Sequence, residues 1–242
     1  VNLAAATDDE LLELLHALED HAATLKYTHY LDMYPEDGPL GWREYTKHFA
    51  FWEMGKTESE RALISANRCG KTIAGGYETM VHLTGLYPSW WPGVHFDGPV
   101  KGWAAGDTAD TVRDIIQPVL FGDRGDWGSG LIPKHLIVDV LPRRGGGGGI
   151  DTAWIRRDDA PDKPPSVLQL KSYEQGRKTF QGTAMHLIWL DEEPDMQIYS
   201  ECQIRTMSTE VGRQPGQLIC TFTPLLGMSD TVLHFLPGGR MP

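Results

Sequence analysis

Ser65-Ala66-Asn67-Arg68-Cys69-Gly70-Lys71-Thr72 is the stretch on which the reading of this chain turns. A short apolar run, Ala62-Leu63-Ile64, leads into it, and a helix-permitting segment from Ile73 to Thr84 leaves it. Strand, loop ending in Gly-Lys-Thr, then helix is the setting of a phosphate-binding loop. A tight loop turns backbone N–H groups towards phosphate oxygens, and the following helix presents its positive end to the same anion. Lys71 would reach the β- and γ-phosphates, and the Thr72 hydroxyl would bind Mg²⁺. Ser65 departs from the usual pattern, standing where such loops open with glycine. The plain alternative is a βα turn with an exposed lysine.

Composition frames this reading. The 242 residues suit one large domain or one and a half, and 40% apolar content supports a sizeable core. No apolar run approaches the ~18 residues of a membrane span. The opening VNLAAATDDE is too short and too acidic for a signal peptide. Cys69, Cys202 and Cys220 are scattered and read as reduced thiols without metal spacing. A net charge of −11 argues against a surface coated in basic DNA-binding side chains, while leaving room for one local basic strip.

Working outward from the loop, Gly85 is a plausible C-terminal cap for the helix that follows it. Upstream, Thr7-Asp8-Asp9-Glu10 reads as a capping box. It opens a helix to about Tyr27 whose leucines form one broad face, either packed on the domain or offered to another subunit. Tyr34 to Pro39 reads as a linker, so the expected division is a helical segment over 1–38 and the main domain over 39–242. A helix from about Gly41 to Met54 aligns Tyr45, Phe49 and Trp52, as core or, with His48, as a border to adenine. Tyr87 to Gly93 reads as an aromatic lid over a helix end in preference to a base-stacking platform. Downstream, Val100 to Ala105 is a strand, and Asp107 should cap a helix over Thr108 to Phe121. The runs Leu136 to Val140 and Thr152 to Ile155 flank five glycines, Gly145 to Gly149, as a hairpin. Arg143, Arg144, Arg156 and Arg157 at its base either meet phosphates or border a solvated loop. Strands at 167–170, 186–190 and 217–222, with helices at 197–208 and 231–236, complete an α/β pattern with a mainly parallel sheet.

Leu187-Ile188-Trp189-Leu190-Asp191-Glu192-Glu193 supplies the second half of a site. A buried strand delivers carboxylates at its C-terminal end, where open α/β sheets bind ligands. This has the form of a Walker B motif. Asp191 would hold Mg²⁺; Glu192 would orient and deprotonate an attacking water; Glu193 is a helper or a helix N-terminal charge. The Asp-Glu pair favours nucleotide hydrolysis over small-molecule phosphorylation. One strand later, Thr221-Phe222-Thr223-Pro224 puts Thr223 at a strand tip, facing Asp191's edge if the strands are parallel. A hydroxyl there can sense a γ-phosphate; the plain alternative is a strand-ending turn.

Taken together, these elements resemble the ATPase domain of tailed-phage large terminase subunits. The match is carried by Ala66 to Thr72 with its Asn67-Arg68 pair, Ala74 to Glu78, His82 to Pro88, Trp90-Trp91, Trp189 to Glu193 and Thr221 to Pro224. The family often lacks the first loop glycine, so Ser65 ceases to be a defect. The resemblance implies an ASCE-type P-loop NTPase that uses ATP and Mg²⁺ to drive double-stranded DNA into a procapsid. It implies nucleotide contacts from Ser65 to Thr72, Arg68 near the γ-phosphate, Glu192 as the catalytic glutamate, and Thr221 to Pro224 as the coupling motif. The segment around His48 resembles the adenine-side motif, without its usual glutamine. Partners would be DNA, the portal protein, the small terminase subunit and further copies in a ring, without a membrane. The setting would be the host bacterial cytoplasm, transiently on the procapsid. A neighbour's arginine can complete such a site; Arg177 is the first candidate and Arg205 the second. The chain ends soon after the coupling motif, so no nuclease activity is expected from it alone. The competing readings are another DNA-dependent ATPase, such as a helicase, and a nucleotide-gated assembly module without turnover.

Overall fold

The computed structural model describes residues 7–144, 147–207, 214–225 and 227–236. Among them, seven strands build one sheet: β1 (Glu60–Ile64), β2 (Lys101–Gly106), β3 (Ile137–Pro142), β4 (Ile150–Ile155), β5 (Ser166–Ser172), β6 (Leu187–Asp191) and β7 (Gln217–Phe222). Their order in space is β1-β7-β6-β2-β5-β4-β3. The first five of that order run parallel, and β4 and β3 form an antiparallel hairpin at one edge.

Residue choice explains these placements. β6 and β7 are buried at every position, as continuous apolar runs covered on both faces should be. β5 alternates buried and half-buried residues with the two-residue period of a strand. The hairpin edge is largely exposed along β3, although Asp139 is its one charged residue. Side chains alternate across β6: Trp189 enters the core on one face, and Ile188 and Leu190 enter the core on the other.

Helices α1 (Asp8–Tyr27), α2 (Thr46–Glu53) and α3 (Lys71–Thr84) come before β2. The short α4 (Ala109–Thr111) and α5 (Gln117–Phe121) are joined by a π-helical turn at Val112–Ile116. Helices α6 (Met196–Thr206) and α7 (Asp230–Phe235) close the order. Gly85 caps α3 in a left-handed conformation, φ 74°, as the sequence implied. The helix over 109–121 is capped by the Thr108 side chain, which accepts from the Thr111 amide, and not by Asp107. The helix expected over 41–54 is divided into a 3₁₀ turn at Trp42–Glu44, then α2, then a second 3₁₀ turn at Met54–Lys56.

Two stretches do more, or less, than their patterns suggested. Leu11, Leu12, Leu15, Leu18 and Leu25 of α1 are exposed, so this helix is not packed on the domain along its leucine face. Tyr34, inside the stretch read as a linker, is buried against Trp52 and Tyr77 and donates to or accepts from His48 Nδ1 at 2.9 Å. The lid reading of 87–93 holds: Trp90 stacks on Tyr77, and Trp91 packs on Trp52.

The arginines near the hairpin are spent internally where their bonds are defined. Arg143 Nη2 donates to Leu170 O at 3.0 Å. Arg157 is fully buried, donates to the His82 and Phe96 carbonyls and pairs with Asp159. Gly145 and Gly146 lie outside the described residues.

Candidate active site

The site lies on one edge of the sheet because β1, β7 and β6 are parallel and end together. Register pairs Leu63 with Thr221 and Thr221 with Asp191. β7 separates the phosphate-loop strand from the acidic strand, so their ends stand about 10 Å apart, two strand spacings. A strand inserted between these two, with a glutamate following the strand-end aspartate, is the ASCE arrangement. The expected fold class is therefore the observed one.

The loop from Ser65 to Gly70 bends through two left-handed residues, Arg68 at φ 64° and Gly70 at φ 75°. Gly70 is required there: a Cβ would lie 3.0 Å from His48 Cε1 at a φ that side chains rarely adopt. Arg68, a non-glycine, accepts that conformation at a cost of order 1–3 kcal/mol, and its side chain is exposed at the loop's surface. Lys71 is the first residue of α3; its Nζ donates to Ala66 O at 2.7 Å across the loop.

Thr72 Oγ1 lies 3.1 and 3.2 Å from the two carboxylate oxygens of Asp191. Thr221 Oγ1 donates to the same carboxylate at 2.6 Å and accepts from Trp189 Nε1 at 2.8 Å. Thr221, read as part of a coupling motif, is thus also a direct partner of the acidic group. Asp191 is 2% exposed. Burial, aided by the charge of Glu192, pushes its pKa up to about 7, against the hydrogen bonds of Thr221 and Thr72 and the charge of Lys71.

These groups fit Mg²⁺. A buried carboxylate beside a threonine hydroxyl is a pair of hard oxygen donors, and such an ion usually takes only one or two carboxylates plus phosphate oxygens and water. Among the described residues no cluster of three or more His, Cys, Asp or Glu side chains could hold a metal by itself.

Glu192 follows at φ 70°, a strained conformation for a glutamate. Its amide donates to Thr221 O at 3.0 Å. Tyr173 OH donates to the carbonyls of Asp191 and Glu192, 3.1 Å each. Nothing in the spacing of the sequence marked Tyr173, because its hydroxyl reaches the site from the segment after β5. Thr223 Oγ1 stands 2.8 Å from Asn67 Oδ1 and 3.0 Å from Ser65 O, so the strand tip is tied to the phosphate loop.

His48 also touches the loop: Nε2 lies 3.0 Å from Cys69 O, and burial holds its pKa below the ordinary value. A cleft of about 140 Å³, lined by Tyr34, Leu40, Tyr45, His48 and Gly70 among others, opens beside it. The two arginines expected from the resemblance stand elsewhere. Arg177 and Arg205 both pair with Glu201 on α6, at 3.1 and 2.8 Å, outside this chain's cluster around Asp191. Arg177 remains half exposed.

Comparison with known proteins places the chain in a family. The family described as "Terminase large subunit, T4likevirus-type, N-terminal" matches residues 63–239. The large subunit terminase of Salmonella phage P22 is 33% identical over 248 aligned residues, covering 95% of this chain and 47% of the relative. The chain therefore spans about half the length of that relative. Among solved structures, the Thermus phage P74-26 large terminase ATPase domain aligns with 75% of this chain and 66% of its own, at 18% identity and a TM-score of 0.47. A large terminase from a thermophilic bacteriophage, in complex with ADP, aligns with 74% of this chain and 38% of its own, at 13% identity and a TM-score of 0.48. No helix among the described residues is long and apolar enough to cross a membrane. The chain belongs to the family of phage large terminase subunits and matches its N-terminal part.

Proposed function

We propose that this chain is the motor domain of a genome-packaging machine, hydrolysing Mg·ATP to move viral double-stranded DNA into a procapsid. One observation carries the hydrolytic part. The hydroxyls of Thr72 and Thr221 converge on the buried Asp191 carboxylate, while the next residue, Glu192, is held in a strained turn at the same strand end.

In this reading the loop amides from Ser65 to Thr72 and the first turn of α3 receive the phosphates. Lys71 leaves the Ala66 carbonyl to pair with the β- and γ-phosphates, and Arg68 stands over the γ-phosphate. Thr72 and Asp191 would hold Mg²⁺, which neutralises phosphate charge when bound. Glu192 takes the proton of the attacking water. His48 and the cleft beside it border the base. Thr223, bonded to Asn67, reports the state of the loop to the chain that follows. Residues 39–242 act as the ATPase unit and 1–38 as a helical segment beside it. Copies assemble as a ring with portal protein and small terminase subunit in the host cytoplasm, and a neighbour's Arg177 completes each site.

Turnover of ATP tests this reading. Glu192→Ala should slow hydrolysis by about 10²–10⁴ while leaving nucleotide binding in place. Equal rates for the two proteins would instead favour a nucleotide-gated assembly module.

A further inference from the structure

The turn between β6 and α6 carries a third acid that the hydrolytic scheme does not use. Glu193 Oε1 accepts a hydrogen bond from the Ser229 hydroxyl. The same Ser229 oxygen accepts from the Val232 amide at 3.2 Å and so caps α7. One residue on, Pro194 O accepts from Thr231 Oγ1 at 2.9 Å. Tyr173 in turn holds the carbonyls of Asp191 and Glu192. Glu192 sits between these two grips in a left-handed conformation, which persists only where the surroundings impose it.

Asp195, not Glu193, caps α6, accepting from the Gln197 amide at 2.7 Å. Nor is its carboxylate free for chemistry: the second oxygen is buried with no partner, and the first is committed to Ser229.

We propose that Glu193 is a positioning residue. By gripping Ser229 it bolts the first turn of α7 to the turn that aims Glu192, and so keeps Glu192 in its working conformation. This rests on the ATPase reading above. It also gives the chain after β7 two anchors: Thr223 holds the phosphate loop, and Ser229 and Thr231 at the head of α7 hold the catalytic turn.

The test is the steady-state kcat and KM for ATP of the whole chain carrying Glu193→Ala, Ser229→Ala, both together, or Glu193→Gln. Misplacing a reacting group by about 1 Å can cost about 10²-fold. Each alanine variant should therefore lose about 10- to 100-fold in kcat with little change in KM. The double variant should be no slower than Ser229→Ala, which already removes the bond to Glu193 together with the cap on the Val232 amide. Glu193→Gln keeps the acceptor oxygen for Ser229 and should recover most of the rate. Wild-type kcat in Glu193→Ala, losses that multiply in the double variant, or a Glu193→Gln protein as slow as Glu193→Ala would each overturn the proposal. So would a lowered melting temperature with unchanged kcat. If the wild-type chain shows no turnover that depends on Lys71, the ATPase reading falls and this inference with it. If it does and Glu193→Ala matches it, the inference alone falls.

Discussion

At the scale of single residues, the account makes Lys71 the group that recognises phosphate. Lys71→Ala should weaken Mg·ATP binding by at least about tenfold, equivalent to ~1.4 kcal/mol, in a calorimetric titration; unchanged affinity would remove the loop assignment. Cys69 gives a second handle, since it is exposed in the loop while Cys202 and Cys220 are buried. Burial pushes the Cys202 thiol up to about 12 and Cys220 well above its ordinary value, so neither forms thiolate near neutral pH. A bulky thiol reagent should label Cys69 first and inhibit turnover, and ATP should slow the labelling; labelling that ATP leaves unchanged would put the nucleotide elsewhere. His82 supplies a pH effect. Burial holds its pKa below the ordinary His value, with Nε2 beside Glu78 and Nδ1 bonded to Tyr87. The unfolded chain therefore takes up a proton near pH 6.5 that the folded chain refuses, and stability falls as pH drops below that value. Replacing His82 with Gln should reduce this fall by up to about 1.4 kcal/mol per pH unit, measured by denaturant unfolding between pH 6.5 and 5.5. That the two motifs meet was legible in the sequence because each is local to one strand end. Tyr173 and the Ser229 partner of Glu193 were not, since each reaches the site across the fold from another segment.

At the scale of elements, α3 carries the account: it begins at Lys71 and packs on the strands that bear Asp191 and Thr221. Gly75 permits that contact, because a Cβ there would lie 2.4 Å from Trp189 Nε1 and 3.1 Å from Thr221 Cγ2. Gly75→Ala should therefore push α3 off β6, costing about 1–3 kcal/mol of stability and lowering activity through Thr221. One turn further along α3, Glu78 pairs with Arg61 of β1, and Arg61 also donates to Gln217 of β7. Both charged side chains are fully buried. Glu78→Ala leaves Arg61 without its counter-charge and should cost about 3–5 kcal/mol in denaturant unfolding; a loss below about 1 kcal/mol would mean the pair is not buried as described. Element types and order were readable from apolar runs and from Gly85. What the pattern did not show is why α1 carries leucines. Their spacing fits a packed helix, yet Leu12, Leu15 and Leu18 face outward. Periodicity reports that a face is apolar, not what covers it.

At the scale of the whole molecule, Arg177 and Arg205 stand apart from the phosphate loop, both tied to Glu201. Mixing Arg177→Ala with Lys71→Ala protein at ring-forming concentration should restore some turnover, since a mixed ring contains sites with an intact loop facing an intact arginine. Absence of rescue would remove Arg177 from that role. The sheet order places β7 between the loop strand and the acidic strand, and Thr221 and Thr223 on β7 and its tip touch both sides. The central claim is that these parts meet on one γ-phosphate, and a crystal structure of the chain with a non-hydrolysable ATP analogue and Mg²⁺ tests it most directly. Lys71 should have moved from Ala66 onto the β- and γ-phosphates, with the ion between Thr72 and Asp191 and Glu192 facing the γ-phosphorus. An analogue bound away from the 65–72 loop, or a γ-phosphate out of reach of Glu192, would contradict it.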